Sequence, residues 1–171
     1  MTALAPWLEK SPLIAILRGV EPREVVDIAE GLIDTGILII EVPLNSPDPL
    51  ESIRRLAAAC GKRALVGAGT VMRSDEVDAI RAAGGELIVT PHANAPAVRR
   101  AKELGLLAVP GFFSPTEAFA MIDAGADALK LFPAEAASPK VLAALRAVLP
   151  RTMLALVRVA GCCNVTSLWG A

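Results

Sequence analysis

Residues 36–47 read Gly36-Ile37-Leu38-Ile39-Ile40-Glu41-Val42-Pro43-Leu44-Asn45-Ser46-Pro47. A run this apolar and this short predicts a strand over 37–42 that is covered on both faces, and a carboxylate interrupts it close to its carboxyl end. Before it, residues 21–35 carry apolar side chains at three- and four-residue spacing. That pattern predicts a helix, closed by Gly36, where a left-handed backbone costs glycine nothing. After it, residues 48–59 repeat the helical spacing. The unit is helix, strand, helix.

The same unit recurs along the chain. Strands are predicted at 13–17, 37–42, 64–68, 86–90, 106–110, 126–132 and 153–159. Helices are predicted at 21–35, 48–59, 74–83, 95–104, 115–124 and 138–148, with an extra N-terminal helical piece over 3–10. Gly84, Gly105 and Gly125 end helices as Gly36 does. Strands joined through helices are parallel, and parallel strands this apolar are buried on both sides. Seven strands and six connecting helices fit either a doubly wound open sheet or a (β/α)8 barrel, and periodicity does not choose between them.

Composition narrows the function classes. The chain has 171 residues, enough for one domain with a sizeable core. Seventeen basic and 18 acidic residues give a net charge of −1 and are mixed along the chain, so no basic stripe marks a nucleic-acid binder. Hydrophobic residues make up 54%, but no apolar stretch approaches the roughly 20 residues that cross a bilayer. Glu9 and Lys10 interrupt any signal-like segment, so a cytoplasmic protein is expected, with no membrane partner. Cys60, Cys162 and Cys163 are read as reduced thiols, because their spacing is neither a metal clip nor a disulfide framework.

In both architectures ligands bind at the carboxyl ends of the strands. Strand one delivers Arg18-Gly19 there, and strand two Glu41 through Pro47. Strand three delivers Gly67-Ala68-Gly69-Thr70, strand four Thr90-Pro91-His92, strand five Pro110-Gly111-Phe112-Phe113-Ser114, and strand six Lys130-Leu131-Phe132-Pro133. An arginine, a carboxylate, a hydroxyl and a lysine converge on one rim.

Lys130 interrupts Ala128-Leu129-Lys130-Leu131-Phe132, whereas Lys10, Lys62, Lys102 and Lys140 fall on helices or connections and are read as solvated. Apolar neighbours disfavour an ammonium, lower its pKa and free the amine for attack on a ketone. The alternative is a snorkelling or ion-paired lysine at a strand end. Glu41, similarly placed, gains a raised pKa suited to accepting and donating protons, or else serves as a structural partner for Arg18. Arg18 offers a planar fork for a carboxylate or phosphate. The glycines around Ala68 bring backbone near a ligand or build a tight turn. His92, the only histidine, is read as a rim or packing residue, and Phe112 and Phe113 as wall or interface. The remaining Asp and Glu residues are read as solvated helix faces. No metal cluster and no cofactor motif is visible.

These stretches in this order resemble the family of 2-keto-3-deoxy-6-phosphogluconate and 2-keto-3-deoxy-6-phosphogalactonate aldolases. The resemblance rests on Ile14–Gly19, Glu41–Pro47, Gly67–Val71, Val109–Gly111, Pro115–Ala118 and Leu129–Pro133, and runs from about residue 12 to 150. It implies a (β/α)8 TIM barrel, usually a homotrimer, and a class I lyase that needs no cofactor. It implies that Lys130 forms the Schiff base, that Glu41 shuttles protons, and that Arg18 and Thr70 line the pyruvate end of the pocket. Pro91, Phe132 and Gly161 are further candidates for substrate binding. Pro43-Leu44-Asn45-Ser46-Pro47 is similar to the phosphogalactonate branch, whereas the phosphogluconate branch carries a Thr-Leu-Arg-Thr-Pro-like sequence there. The implied partners are a phosphorylated 2-keto sugar acid and pyruvate.

The family pattern is lost after Pro150. Val159-Ala160-Gly161-Cys162-Cys163-Asn164 stands where a Val-Gly-Gly-Val-Thr-Pro-like turn is expected. The expectation is therefore a single domain over 1–171, truncated or altered after strand seven by a frameshift or truncation, with 151–171 atypical, weak phosphate binding and low activity. The competing readings are the gluconate epimer as substrate, an inactive barrel remnant, another barrel enzyme in which Lys130 is merely electrostatic, and a receiver module. The last lacks the acidic pair and the acceptor aspartate that such modules need after strands one and three.

Overall fold

The structure is a computed structural model that describes residues 3–150 and the strand Leu154–Leu156. Strands β1 (Ile14–Ile16), β2 (Ile39–Pro43), β3 (Leu65–Gly69), β4 (Leu87–Val89), β5 (Leu107–Val109), β6 (Gly111–Phe112), β7 (Leu129–Leu131) and β8 (Leu154–Leu156) alternate with helices. The helices are α1 (Ala5–Lys10), α2 (Val25–Asp34), α3 (Pro49–Cys60), α4 (Asp75–Ala82), α5 (Ala95–Glu103), α6 (Pro115–Asp123) and α7 (Pro139–Val148). Every strand pair is parallel, and the order in space is the order in sequence, β1 to β5 and then β6 to β8. A doubly wound sheet reverses its strand order part-way, so this sequential winding is that of a (β/α) barrel.

The predicted fifth strand, 106–110, is β5, and a second short strand, β6, follows it directly where no strand was predicted. Pro110 has no N–H to give to a ladder. The chain pairs with β4 up to Val109 and with β7 from Gly111 onward, and Lys130 N–H donates to the Pro110 carbonyl at 2.9 Å. β5 and β6 are thus two halves of one strand position, hinged at Pro110. A short 3-10 turn, Ala134–Ala136, also follows β7 where the sequence suggested only a connection.

The four glycines expected to stop helices all have left-handed backbones, with φ of 87° at Gly36, 89° at Gly84, 74° at Gly105 and 99° at Gly125. Ser114 begins α6 with a reciprocal cap. Its hydroxyl accepts from Glu117 N–H at 3.3 Å, and the Glu117 carboxylate accepts from Ser114 N–H at 2.8 Å. Such a cap contributes about 1 kcal/mol.

Alternation along the strands sorts the buried residues into two groups. Ala15, Ile40, Val42, Val66, Ile88 and Leu131 belong to the larger one, packed under the helices. Ile39, Leu65, Leu87, Val89, Leu107 and Ala128 form a smaller inner group, closed by Leu4 with Trp7 and Leu8 of α1. The extra N-terminal helix is therefore a plug for the inner side of the strands. Burying its Leu4 fully contributes about 1.5–3 kcal/mol. Glu41 lies two residues beyond Ile39, and Lys130 two beyond Ala128. Strand alternation puts both on the inner side, nearer the carboxyl ends.

Candidate active site

Glu41 sits inside β2 with 2% of its surface exposed, and Lys130 inside β7 with 5%. Burial pushes the Glu41 carboxyl up to about 7, against the opposing pull of the Lys130 and Arg18 cations. Burial lowers the Lys130 pKa from the ordinary lysine range; Glu41 works against that shift and Arg18 adds to it. Each group feels the other's charge, so acid and amine share one inner compartment. Near neutral pH the acid is poised to hold or release a proton, and the amine is biased toward its nucleophilic form.

The backbone around Glu41 explains the glycines after β3. Glu41 pairs in register with Gly67. A Cβ built on Gly69 would lie 1.5 Å from Glu41 Oε2, so any larger residue would occupy the place of the carboxyl group. A Cβ on Gly67 would meet the Leu87 carbonyl oxygen at 2.1 Å. These glycines make room for the acid and for the neighbouring strand. Glu41 Oε2 is buried and has no hydrogen-bond partner among the described residues. An unpaired buried acceptor costs about 1–3 kcal/mol, which a chain tolerates where the group has other work.

At the rim, Arg18 donates to Asn45 Oδ1 at 2.7 Å and to Thr70 Oγ1 at 3.3 Å. Glu41 is not among its hydrogen-bond partners, so the structural Arg18–Glu41 pair weighed from sequence is replaced by a polar clasp across the ends of β1, β2 and β3. Thr70 has φ of 55°, a left-handed conformation that costs a β-branched residue of order 1–3 kcal/mol. Ser46 holds the backbone on both sides of Arg18: its hydroxyl accepts from Gly19 N–H at 3.1 Å and donates to the Leu17 carbonyl at 3.4 Å. The Phe132 ring centroid lies 5.3 Å from Lys130 Nζ, and Phe132 precedes a cis proline, Pro133. Pro91 is half-buried beside Gly111, and His92 is exposed on the rim as expected. Gly161 lies outside the described residues, as does the segment 151–171 expected to be atypical, apart from the strand Leu154–Leu156.

Two expectations are corrected. Lys102 is not simply solvated: its ammonium donates to Asp127 Oδ2 at 2.6 Å and to the Leu106 carbonyl at 3.2 Å. Asp127, only 6% exposed, also accepts from Ala108 N–H at 2.9 Å, and Glu117 is a helix cap; neither is solvated helix surface. Sequence reasoning also missed Asn45, Ser46 and Thr90 as working residues. Their one signal was a polar side chain directly at a strand's carboxyl end. Among the described residues no group of three or more His, Cys, Asp or Glu side chains could hold a metal ion.

Comparison with known proteins agrees with this geometry. The sequence profile described as "Aldolase: KDPG and KHG aldolase" matches residues 5–157. The 2-dehydro-3-deoxy-6-phosphogalactonate aldolase of Escherichia coli (strain K12) is 46% identical over 144 residues, covering 84% of this chain and 70% of that protein. A solved structure described as native KDPGal superposes with a TM-score of 0.84 at 45% identity, over 89% of this chain and 73% of the other. The KDPG aldolase of Legionella pneumophila, with pyruvate captured at low pH as a covalent carbinolamine, superposes with a TM-score of 0.81 at 26% identity, over 90% of this chain and 74% of the other.

Proposed function

Because the chain belongs to the KDPG and KHG aldolase family, we propose that it cleaves 2-keto-3-deoxy-6-phosphogalactonate to pyruvate and glyceraldehyde 3-phosphate through a Schiff base on Lys130. The observation that carries this reading is the buried amine and the buried acid on the same inner face, each shifted toward the protonation state the reaction needs.

The free amine of Lys130 adds to the C2 ketone, giving a carbinolamine. Glu41, protonated near neutral pH, gives its proton to the departing hydroxyl, and water leaves as the iminium forms. The carboxylate so produced takes the C4 hydroxyl proton. The C3–C4 bond breaks, its electrons pass into the iminium, and the aldehyde phosphate departs. The resulting enamine is protonated at C3, and water returns to C2 to release pyruvate and the free amine. The C2 iminium supplies the polarisation, so no metal enters the sequence. Arg18, clasped by Asn45 and Thr70, holds the carboxylate end of the keto acid. Pro91, Phe132 and Gly161 complete the substrate contacts in this reading.

The galactonate epimer is favoured by 45–46% identity to proteins of that name, against 26% to the Legionella gluconate aldolase. Steady-state kinetics on both epimers test the choice, and a higher kcat/KM for the gluconate form reverses it. The proposal extends to one barrel domain over 1–171 with an atypical 151–171, assembled as a cytoplasmic homotrimer. Exposed Phe113 and Phe119 are apolar side chains that an interface would cover. Light scattering checks the assembly, and a monomer contradicts it. No described helix is long and apolar enough to cross a membrane.

Borohydride reduction in the presence of pyruvate is the decisive test of the chemistry. The expected result is a stable adduct on Lys130, located by peptide mass spectrometry. An unmodified protein, or an adduct on another lysine, removes the Schiff-base reading.

A further inference from the structure

We infer that Thr90 is a positioning residue, whose buried hydroxyl fastens the Pro110 hinge and thereby fixes the backbone from which Lys130 projects. The inference rests on the Schiff-base reading and deepens it.

Thr90 directly follows β4 and is fully buried. Its N–H donates to the Val109 carbonyl at 3.3 Å, the last rung of the ladder before the break. Leu107 and Val109 are the β5 residues that bond to the β4 side, so the next rung would run from Gly111 N–H to a backbone carbonyl there, and none is formed among the described residues. In its place the Thr90 hydroxyl accepts from Gly111 N–H at 3.1 Å and donates its own proton to the His92 carbonyl. The side chain therefore satisfies the Gly111 N–H that the hinge would strand and ties it to the His92 carbonyl.

What hangs on this hinge is the reactive strand. Gly111 pairs in register with Lys130, and the Pro110 and Phe112 carbonyls accept from Lys130 N–H at 2.9 Å and Phe132 N–H at 3.0 Å. The hinge lies directly against the backbone that follows β4: a Cβ on Gly111 would be 2.5 Å from the Pro91 carbonyl carbon, so only glycine fits there. One hydroxyl thus sets where β6 crosses from one neighbour to the other, and so the height of the Lys130 amine relative to Glu41. Displacement of a reacting group by about 1 Å costs on the order of 100-fold in rate.

The test is the rate of borohydride-trapped imine formation with saturating pyruvate, per folded protein. Thr90→Val keeps shape and loses both hydrogen bonds, Thr90→Ser keeps the hydroxyl, and Ile88→Val weakens the helix-facing side of the same strand without touching the hinge. The expected result is that T90V labels fully but at least about 10-fold more slowly. T90S returns to within a few-fold of the wild type, and I88V, though less stable, labels at the wild-type rate. T90V labelling at the wild-type rate overturns the inference, as does T90S being as slow as T90V, or I88V being equally slow. Loss of folding in both T90V and Thr90→Ala, with T90S intact, also overturns it in favour of a purely structural role. Wild-type protein that gains no adduct on Lys130 is a different failure: it removes the Schiff-base reading itself.

Discussion

Two lysine–acid pairs lie at opposite ends of the same stretch of chain. At the amino end of β7, Asp127 is gripped by the Lys102 ammonium at 2.6 Å and by Ala108 N–H at 2.9 Å. Three residues further on, Lys130 faces Glu41, whose Oε2 has no hydrogen-bond partner among the described residues. The first pair is satisfied: each charge has a partner, and Lys102 keeps part of its surface in water. The second is buried and under-satisfied, and the shortfall appears as displaced protonation on both members. A closed network adds stability, whereas an open one stores the reactivity a proton-transfer site uses. The Asp127 carboxylate and the Thr90 hydroxyl play parallel parts, each supplying the rung that the interrupted β5–β6 strand lacks.

Lys130→Met breaks the contrast most severely. It is expected to abolish the pyruvate adduct and lower cleavage by more than about 1000-fold, measured by coupled assay. Substantial residual turnover with no adduct would identify Lys130 as merely electrostatic.

Glu41→Gln is expected to lower cleavage by about 100- to 10,000-fold. It also has a stability signature of definite sign. The folded-state pKa of Glu41 is raised to about 7, so burial disfavours the ionised carboxyl. The wild type is favoured while this group stays protonated and loses that advantage as pH rises from the ordinary carboxyl range through about 7. Glutamine does not titrate, so E41Q gains on the wild type by about 1–3 kcal/mol in denaturant midpoints above pH 8, and the gap closes below pH 5. A variant less stable than wild type at high pH would contradict the burial argument.

Asp127→Ala addresses the satisfied pair. It strands Ala108 N–H and releases Lys102, and is expected to cost about 1–3 kcal/mol of stability. The pH dependence of adduct formation on Lys130 should not change. A shifted profile would show that the two pairs are one network. The smallest expected effect is that of Arg18→Lys, which replaces a fork by a point charge. KM for the keto acid should rise by about 10-fold, or 1.4 kcal/mol, with a lesser change in kcat.

Much of the site was legible because burial leaves a mark in sequence. A lysine inside Ala128–Phe132 and an acid after Ile40 break apolar runs, and among the described residues those two charges do so within strands on the inner face. Thr90, Asn45 and Ser46 break no pattern, since a hydroxyl or amide beside a proline is ordinary turn chemistry. Asp127 and Lys102 were misread for a related reason: a carboxylate after a glycine turn and a lysine on a helix give no sign that their heads meet 25 residues apart in sequence.

The sequence alone determined the alternation of strand and helix, the glycine stops, and the two charges that burial perturbs. Those depend on local periodicity and on transfer from water, which each residue carries with it. The family motifs implied a barrel, but periodicity did not choose it; the tertiary structure decided the sequential winding of the strands within the described residues, the hinge at Pro110, and the partner of each polar group. Those depend on distances between segments remote along the chain, and no local pattern encodes them.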